Sequence, residues 1–121
     1  MVRVIVVDDH DGFRAALESV LRATADLLVV GSASSGREAI VLAARLVPDV
    51  VVMDLAMPGV DGVEATRQMR CSPRAPPVIA LSGSRALMRE AVAAGAALTL
   101  LKDADPAELI AGIRAVALAV D

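Results

Sequence analysis

The sequence predicts a single doubly wound α/β domain, a parallel sheet covered by helices on both faces, and three observations carry that reading. Short, mainly apolar runs recur along the chain, as in Val50-Val51-Val52-Met53 and Val78-Ile79-Ala80-Leu81. Between them lie stretches whose apolar residues repeat at helical spacing. Strands buried on both faces read as unbroken apolar runs, and helical crossovers between such strands make a sheet parallel. The third observation is length: 121 residues suit one domain, since domains commonly hold about 100–150 residues.

Each element has its own signal. Val2 to Val7, interrupted by Arg3, reads as the first strand and ends at Asp8-Asp9. Phe13, Ala16, Leu17, Val20, Leu21 and Thr24 form the inner stripe of a first helix, with Arg14, Glu18 and Arg22 on the other side. Leu27 to Val30 is a short second strand closed by Gly31-Ser32. Ser35-Gly36-Arg37-Glu38 is a capping box opening a helix to about Leu46, which Pro48 ends. The third strand follows, with Asp54 where it runs out. Pro58-Gly59 is a turn, with proline pre-set for the second position and glycine free to take positive φ in the third. Asp61 caps the next helix, and Glu64 is placed to answer it. Val63, Thr66 and Met69 line that helix's inner face, and Ser72-Pro73 stops it. Pro76-Pro77 admits the fourth strand, which ends at Ser82-Gly83. Leu87, Met88, Ala91 and Val92 mark a fourth helix terminated by Gly95. Leu98 to Leu101 is the fifth strand, running into Lys102. Asp105-Pro106-Ala107-Glu108 then supplies N-cap, N1 proline and N3 glutamate for a last helix.

Five strands alternating with five helices predict strand order 2-1-3-4-5, the flavodoxin-like arrangement with right-handed crossovers. That order makes strands one and three neighbours, and three and four. Asp8, Asp9 and Asp54 then share one end of the sheet with Ser82 and Lys102. Ligands of open α/β sheets bind at that carboxyl end.

Composition excludes several classes. The apolar fraction of 56% is enough for a packed core, although Phe13 is the one aromatic residue, so valine, leucine and alanine must fill it. No apolar run approaches the roughly 18 residues of a membrane span, and the signal-peptide pattern is missing. The single Cys71 cannot form an internal disulfide and fits a reducing compartment, so a cytoplasmic domain is expected. A net charge of −3 argues against nucleic-acid binding through this domain's own field. His10 reads as a solvated loop residue beside the acids.

The clustered charges carry the chemistry. Two carboxylates about 4 Å apart repel by ~1 kcal/mol in water and ~4 kcal/mol at an effective dielectric near 20. Three of them with Lys102 alone to oppose them should not stay ionised unaided. A divalent cation resolves the conflict, and an all-oxygen site open to water suits Mg²⁺. With the metal bound, Lys102 can neutralise one oxygen of an incoming phosphoryl group and Ser82 can donate a hydrogen bond to another. Asp54 is then the carboxylate left to attack phosphorus and form an acyl phosphate.

These residues resemble the receiver domain of bacterial two-component response regulators over essentially the whole chain. The resemblance is carried by Asp8-Asp9-His10, by Asp54-Leu55-Ala56-Met57-Pro58-Gly59-Val60-Asp61-Gly62 and by Leu100-Leu101-Lys102-Asp103. Asp61-Gly62-Val63-Glu64-Ala65-Thr66-Arg67 further resembles the subfamily that usually carries a C-terminal LuxR-type helix-turn-helix DNA-binding domain. The resemblance implies that Asp54 accepts phosphate from the phosphohistidine of a sensor histidine kinase. It implies Mg²⁺ held directly by Asp9, Asp54 and the Ala56 backbone carbonyl, with Asp8 helping through water. It gives Ser82 the part of the switch hydroxyl and Lys102 that of the family's lysine. The domain it implies is regulatory rather than an enzyme, promoting only its own phosphotransfer and slow dephosphorylation. Residues 1–121 are accordingly expected to be the receiver part of a longer transcriptional regulator, with DNA contacted only through a domain outside this sequence.

Departures from the family pattern shape the expectation. Thr99 stands where such receivers usually place a switch aromatic in the fifth strand, and the segment from Ser82 to Gly95 is about two residues shorter than usual. A muted or rerouted switch follows. Ala56, two residues after the acceptor, cannot hydrogen-bond a hydrolytic water, so self-dephosphorylation should be slow unless Ser84 reaches the site. In the last helix, Leu109, Ile110, Ile113, Val116, Ala117 and Val120 form the core stripe. Ala111, Gly112, Ala115, Leu118 and Ala119 lie on the remaining face, which suits a homodimer through this helix; alanine's helix propensity accounts for the same residues.

Rival readings fare worse. A flavin carrier of this fold wants a Ser/Thr/Gly-rich phosphate loop after the first strand, where this chain has Asp8-Asp9-His10-Asp11. A phosphatase with an aspartyl nucleophile wants a second acid at Ala56. The alternative that remains is a receiver-like domain signalling by binding a partner or small ligand without phosphorylation.

Overall fold

A computed structural model describes residues 1–119. Its elements run β1 (Val2–Val7), α1 (Asp11–Arg22), β2 (Leu27–Ala33), α2 (Gly36–Leu46), β3 (Val50–Asp54), α3 (Gly62–Arg70), β4 (Val78–Ser82), α4 (Arg85–Ala93), β5 (Leu98–Leu101) and α5 (Pro106–Leu118). The strands are all parallel and lie in the order β2-β1-β3-β4-β5, as the alternation predicts.

Side chains of successive strand residues point to opposite faces, so each strand feeds two cores. Val4, Val6, Val50, Val52, Ile79 and Leu81 face Leu21 of α1 and Leu109 and Ile113 of α5. Ile5, Val7, Val51, Met53 and Val78 face Ala39 and Ala43 of α2 and Ala65 and Met69 of α3. A smaller cluster joins Leu55, Val63 and Ala80 to Ala91 and Ala94 under α4. Every residue of β3 and β4 is buried, which is why their sequences are apolar without alternation.

Capping signals are realised at the helix starts. Ser35 Oγ accepts from the Glu38 N–H at 3.2 Å, and Asp61 Oδ1 accepts from the Glu64 N–H at 2.9 Å. Glu64 does not complete the box: its carboxylate turns along α3 to Arg67 and Gln68. Gly59 takes φ 76° in the expected turn. At Gly62 a side chain is excluded, because a methyl there would lie 2.3 Å from the Asp54 carbonyl oxygen. The start of α3 is thereby pressed against the end of β3.

Four expectations need correction. β2 does not close at Gly31-Ser32 but continues to Ala33, because β1 offers partners up to Val7; a register shift between Val4 and Ile5 takes up the extra residue. In α1, Ala16 is exposed and Thr24 lies beyond the helix, bonding back to the Val20 carbonyl. In α4, Val92 is 58% exposed, and Ala94 takes its expected place in the core. In α5, Gly112 is half-buried, since a methyl there would lie 2.8 Å from Leu98 Cδ2; that side faces β5. Val120, assigned to the inner stripe of α5, lies outside the described residues.

Candidate functional site

The sheet order delivers the tips of β1 and β3 side by side, in register Val7 with Met53. Asp8 and Asp54 are 1% and 3% exposed, and Asp9 is exposed beside them. One carboxylate oxygen from each of the three lies within 4.8 Å of the others. Lys102, just past β5, reaches in with Nζ 3.1 Å from Asp8 Oδ2 and 3.2 Å from Asp54 Oδ2.

The backbone around the acids is itself held. Asp8 Oδ1 accepts from the His10 N–H at 2.8 Å, and Asp54 Oδ1 accepts from the Ala56 N–H at 3.3 Å. His10 is an exposed loop residue, as expected, and its Nδ1 also accepts from the Phe13 N–H at 3.1 Å and caps α1. Arg14, expected on the solvent side, instead donates to the Asp8 carbonyl at 2.7 Å and to Asp11 at 2.8 Å. A long cationic side chain in the first turn can fold back over its own helix start, and periodicity does not register this. Phe13 lies on the inner stripe of α1 as expected, but its contact with Lys102, ring centroid to Nζ 4.6 Å, has no sequence signal.

Electrostatics at the site are strained. Burial pushes the Asp54 carboxyl above its ordinary range, and the neighbouring Asp8 adds to that; the Ala56 N–H and Lys102 pull the other way. Partial burial works to lower the Lys102 ammonium, but the carboxylates of Asp8 and Asp54 outweigh it and the net shift is upward. Asp8 Oδ2 is buried and, despite its closeness to Nζ, makes no hydrogen bond. A buried carboxylate oxygen without a hydrogen bond, in an all-oxygen donor set with more negative than positive charge, fits a hard divalent cation. The acidic group formed by Asp8, Asp9 and Asp54 can bind a metal.

Ser82 and Thr99 lie on the neighbouring strands β4 and β5. Ser82 is buried at the end of β4, where its Oγ accepts from the Ser84 N–H at 2.9 Å and lies 3.3 Å from the Ser84 carbonyl. The Ser84 hydroxyl is engaged as the cap of α4, accepting from the Leu87 N–H at 3.2 Å. Thr99 is half-buried and pairs with Ala80. Ala56 is exposed beyond the tip of β3.

A doubly wound sheet with buried acids at adjacent strand tips and a lysine reaching in from a third defines an α/β domain whose candidate site lies at the carboxyl end of the sheet. The match to known proteins makes the class specific: residues 4–114 match the response regulator receiver domain, and the chain belongs to that family. The chain is 41% identical over 117 residues to the transcriptional regulatory protein LiaR of Bacillus subtilis, a match covering 95% of this chain and 56% of that protein. It superposes on the receiver domain of the response regulator NarL from Mycobacterium tuberculosis with a TM-score of 0.93 at 33% identity, covering 98% of each chain. A LuxR-family response regulator from Aurantimonas gives 0.91 at 34% identity, over 98% of this chain and 86% of that one. Within the family, the relatives are therefore regulators of the LuxR and NarL kind, as the Asp61–Arg67 phrase suggested. The chain spans a little over half the length of the curated relatives it matches.

Proposed function

We propose that this domain is the phosphoacceptor of a two-component signalling pair, with Asp54 taking a phosphoryl group from the phosphohistidine of a sensor histidine kinase. The observation that carries the reading is the meeting of Asp8, Asp9 and Asp54 with Lys102 at one end of the sheet. An Asp54 carboxylate oxygen attacks phosphorus, the P–N bond to the donor imidazole breaks, and the ring leaves with the bonding pair and takes up a proton. Lys102 turns from the carboxylates to a phosphoryl oxygen. Asp9, Asp54 and the Ala56 carbonyl, with Asp8 helping through water, would hold Mg²⁺, which when bound would supply positive charge for the phosphoryl oxygens.

Ser82 is the switch hydroxyl in this reading. Donating to the phosphoryl group requires its hydroxyl proton to leave the Ser84 carbonyl, which takes one hydrogen bond from the turn before α4. Thr99, opposite Ala80, has no ring to swing, so the change at β5 is small and the β4–α4 turn carries the signal. The Ala56 side chain offers no hydrogen bond to a hydrolytic water, and the phosphoryl group persists; Ala56→Asn should quicken its loss in a decay assay, by less than the roughly 100-fold of a full general acid–base group. The output is control of transcription from the cytoplasm, with DNA bound by a domain beyond residue 121. No described helix is long and apolar enough to cross a membrane. Ala111, Ala115 and the 83% exposed Leu118 support a second copy docking along α5. Sedimentation that stays monomeric with and without a phosphoryl mimic would remove that partner.

Acetyl phosphate and Mg²⁺, read by intact mass, test the central claim. One phosphoryl group should add in the wild type, none without Mg²⁺ and none in Asp54→Asn. A wild-type chain that never gains mass while still binding partners would favour signalling without phosphorylation.

A further inference from the structure

Lys102 is enclosed on two sides by carboxylates and on a third by Phe13. Its Nζ lies 3.1 Å from Asp8 Oδ2, 3.2 Å from Asp54 Oδ2 and 4.6 Å from the centroid of the ring. An ammonium within about 6 Å of an aromatic centroid is attracted by the ring's quadrupole. The ring belongs to the first turn and a half of α1, an element that begins immediately after Asp8-Asp9-His10. Phe13 is also the sole Phe, Tyr or Trp in the chain, in a core otherwise made of aliphatic side chains and methionine. Leucine or valine would fill the position as an apolar residue, but neither offers a π face to a cation.

The surroundings make the contact consequential. Beside the ring lies a cavity of about 150 Å³ lined by Leu17, Val20, Leu101, Pro106 and the stem of Lys102. Lysine carries four rotatable bonds and a strongly hydrated head, so nothing intrinsic to it fixes the ammonium between two acids. With the ring removed, that side of the ammonium opens to the cavity and to water.

We propose that Phe13 is the positioning residue for Lys102: its ring holds the ammonium against Asp8 and Asp54, where an incoming phosphoryl oxygen would meet it. The phosphotransfer part of this inference rests on the function proposed above; the hold on the lysine does not. Two variants separate the ring's electrostatic effect from its bulk. Phe13→Leu keeps an apolar side chain in the stripe, and Phe13→Tyr keeps the π face.

The first measurement is by NMR, without any phosphoryl donor. A ring this near the ammonium shifts the Lys102 ε-methylene protons upfield, and Phe13→Leu should abolish that displacement while Phe13→Tyr retains it. The second is the rate of phosphorylation by acetyl phosphate with saturating Mg²⁺. Phe13→Leu should lower the maximal rate about two- to fivefold, the range a partly exposed cation–π contact supports, with half-saturation by donor little changed. Phe13→Tyr should recover most of the loss. Unshifted ε-methylene protons in the wild type overturn the proposal, as does a Phe13→Leu rate equal to wild type in a folded protein. If the wild type takes up no phosphoryl group at all, the proposed function fails, and the methylene shift alone decides whether Phe13 holds the lysine.

Discussion

The centre of the sheet and its β5–α4 flank use the same aliphatic residues with opposite results. In β3 and β4 every residue is buried, and the acid at the tip of β3 is carried into the protein with them. In β5 no residue is fully buried, Leu101 is 44% exposed, and α4 leaves Val92 uncovered. Helices cover both faces at the centre, so Asp54 sits on a rigid platform whose chemistry is fixed by desolvation and neighbouring charge. The flank is an edge with thin cover, the kind of region that opens locally at lower cost. One region stores the electrostatic tension, and the other is free to respond to it.

Truncations should expose the contrast most strongly. Ile79→Ala, in the middle of β4, should cost about 2–5 kcal/mol in urea unfolding, as deletions in close-packed cores do. Val92→Ala on the flank should stay within about 0.5 kcal/mol, since it removes contacts with water more than with protein. Equal costs at the two sites would erase the distinction.

A smaller effect tests the tension at the centre. Because burial and Asp8 raise the Asp54 carboxyl, the charged form of Asp54 opposes folding at neutral pH. Asp54→Asn should therefore stabilise the metal-free protein at pH 7 by about 1 kcal/mol, a fraction of the repulsion between close carboxylates. Thermal unfolding in EDTA checks this, and a destabilised variant would show that Lys102 already neutralises the pair.

The smallest effect lies on the outer surface, where Arg114 of α5 donates to Asp26 at 2.8 and 2.9 Å. The hydrogen bonds from Arg114 hold the Asp26 carboxyl below its ordinary range, against an opposing effect of desolvation. A lowered folded-state pKa means that the contribution is present above the usual carboxylate range and disappears as pH falls through the lowered value. Asp26→Asn should remove that part of the acid dependence, faintly and less at high salt because the pair is exposed. A variant whose pH–stability curve overlays wild type in low salt would show that the ion pair contributes nothing.

Much of this was legible in the residues because the fold converts linear position into proximity. Apolar runs located the strands, their order made Asp8 and Asp54 neighbours, and the unbalanced acids implied a cation. What escaped had a common cause. Hydrophobic period reports which face of an element is covered, not where a long or polar side chain folds once it is there. Arg14 bonding the Asp8 carbonyl, His10 capping α1 and Phe13 beneath Lys102 are all of that kind. The extension of β2 escaped for a different reason: Gly31-Ser32 is a local stop signal, and pairing with β1 overrides it.

The acids and their lysine come from three segments that are remote along the chain, meeting only when β1, β3 and β5 lie in one sheet. Asp54 in an unfolded or half-synthesised polypeptide is an ordinary hydrated carboxylate, with neither the lysine nor its acidic companions at hand. On the function proposed above, competence to take up a phosphoryl group thus follows completed folding.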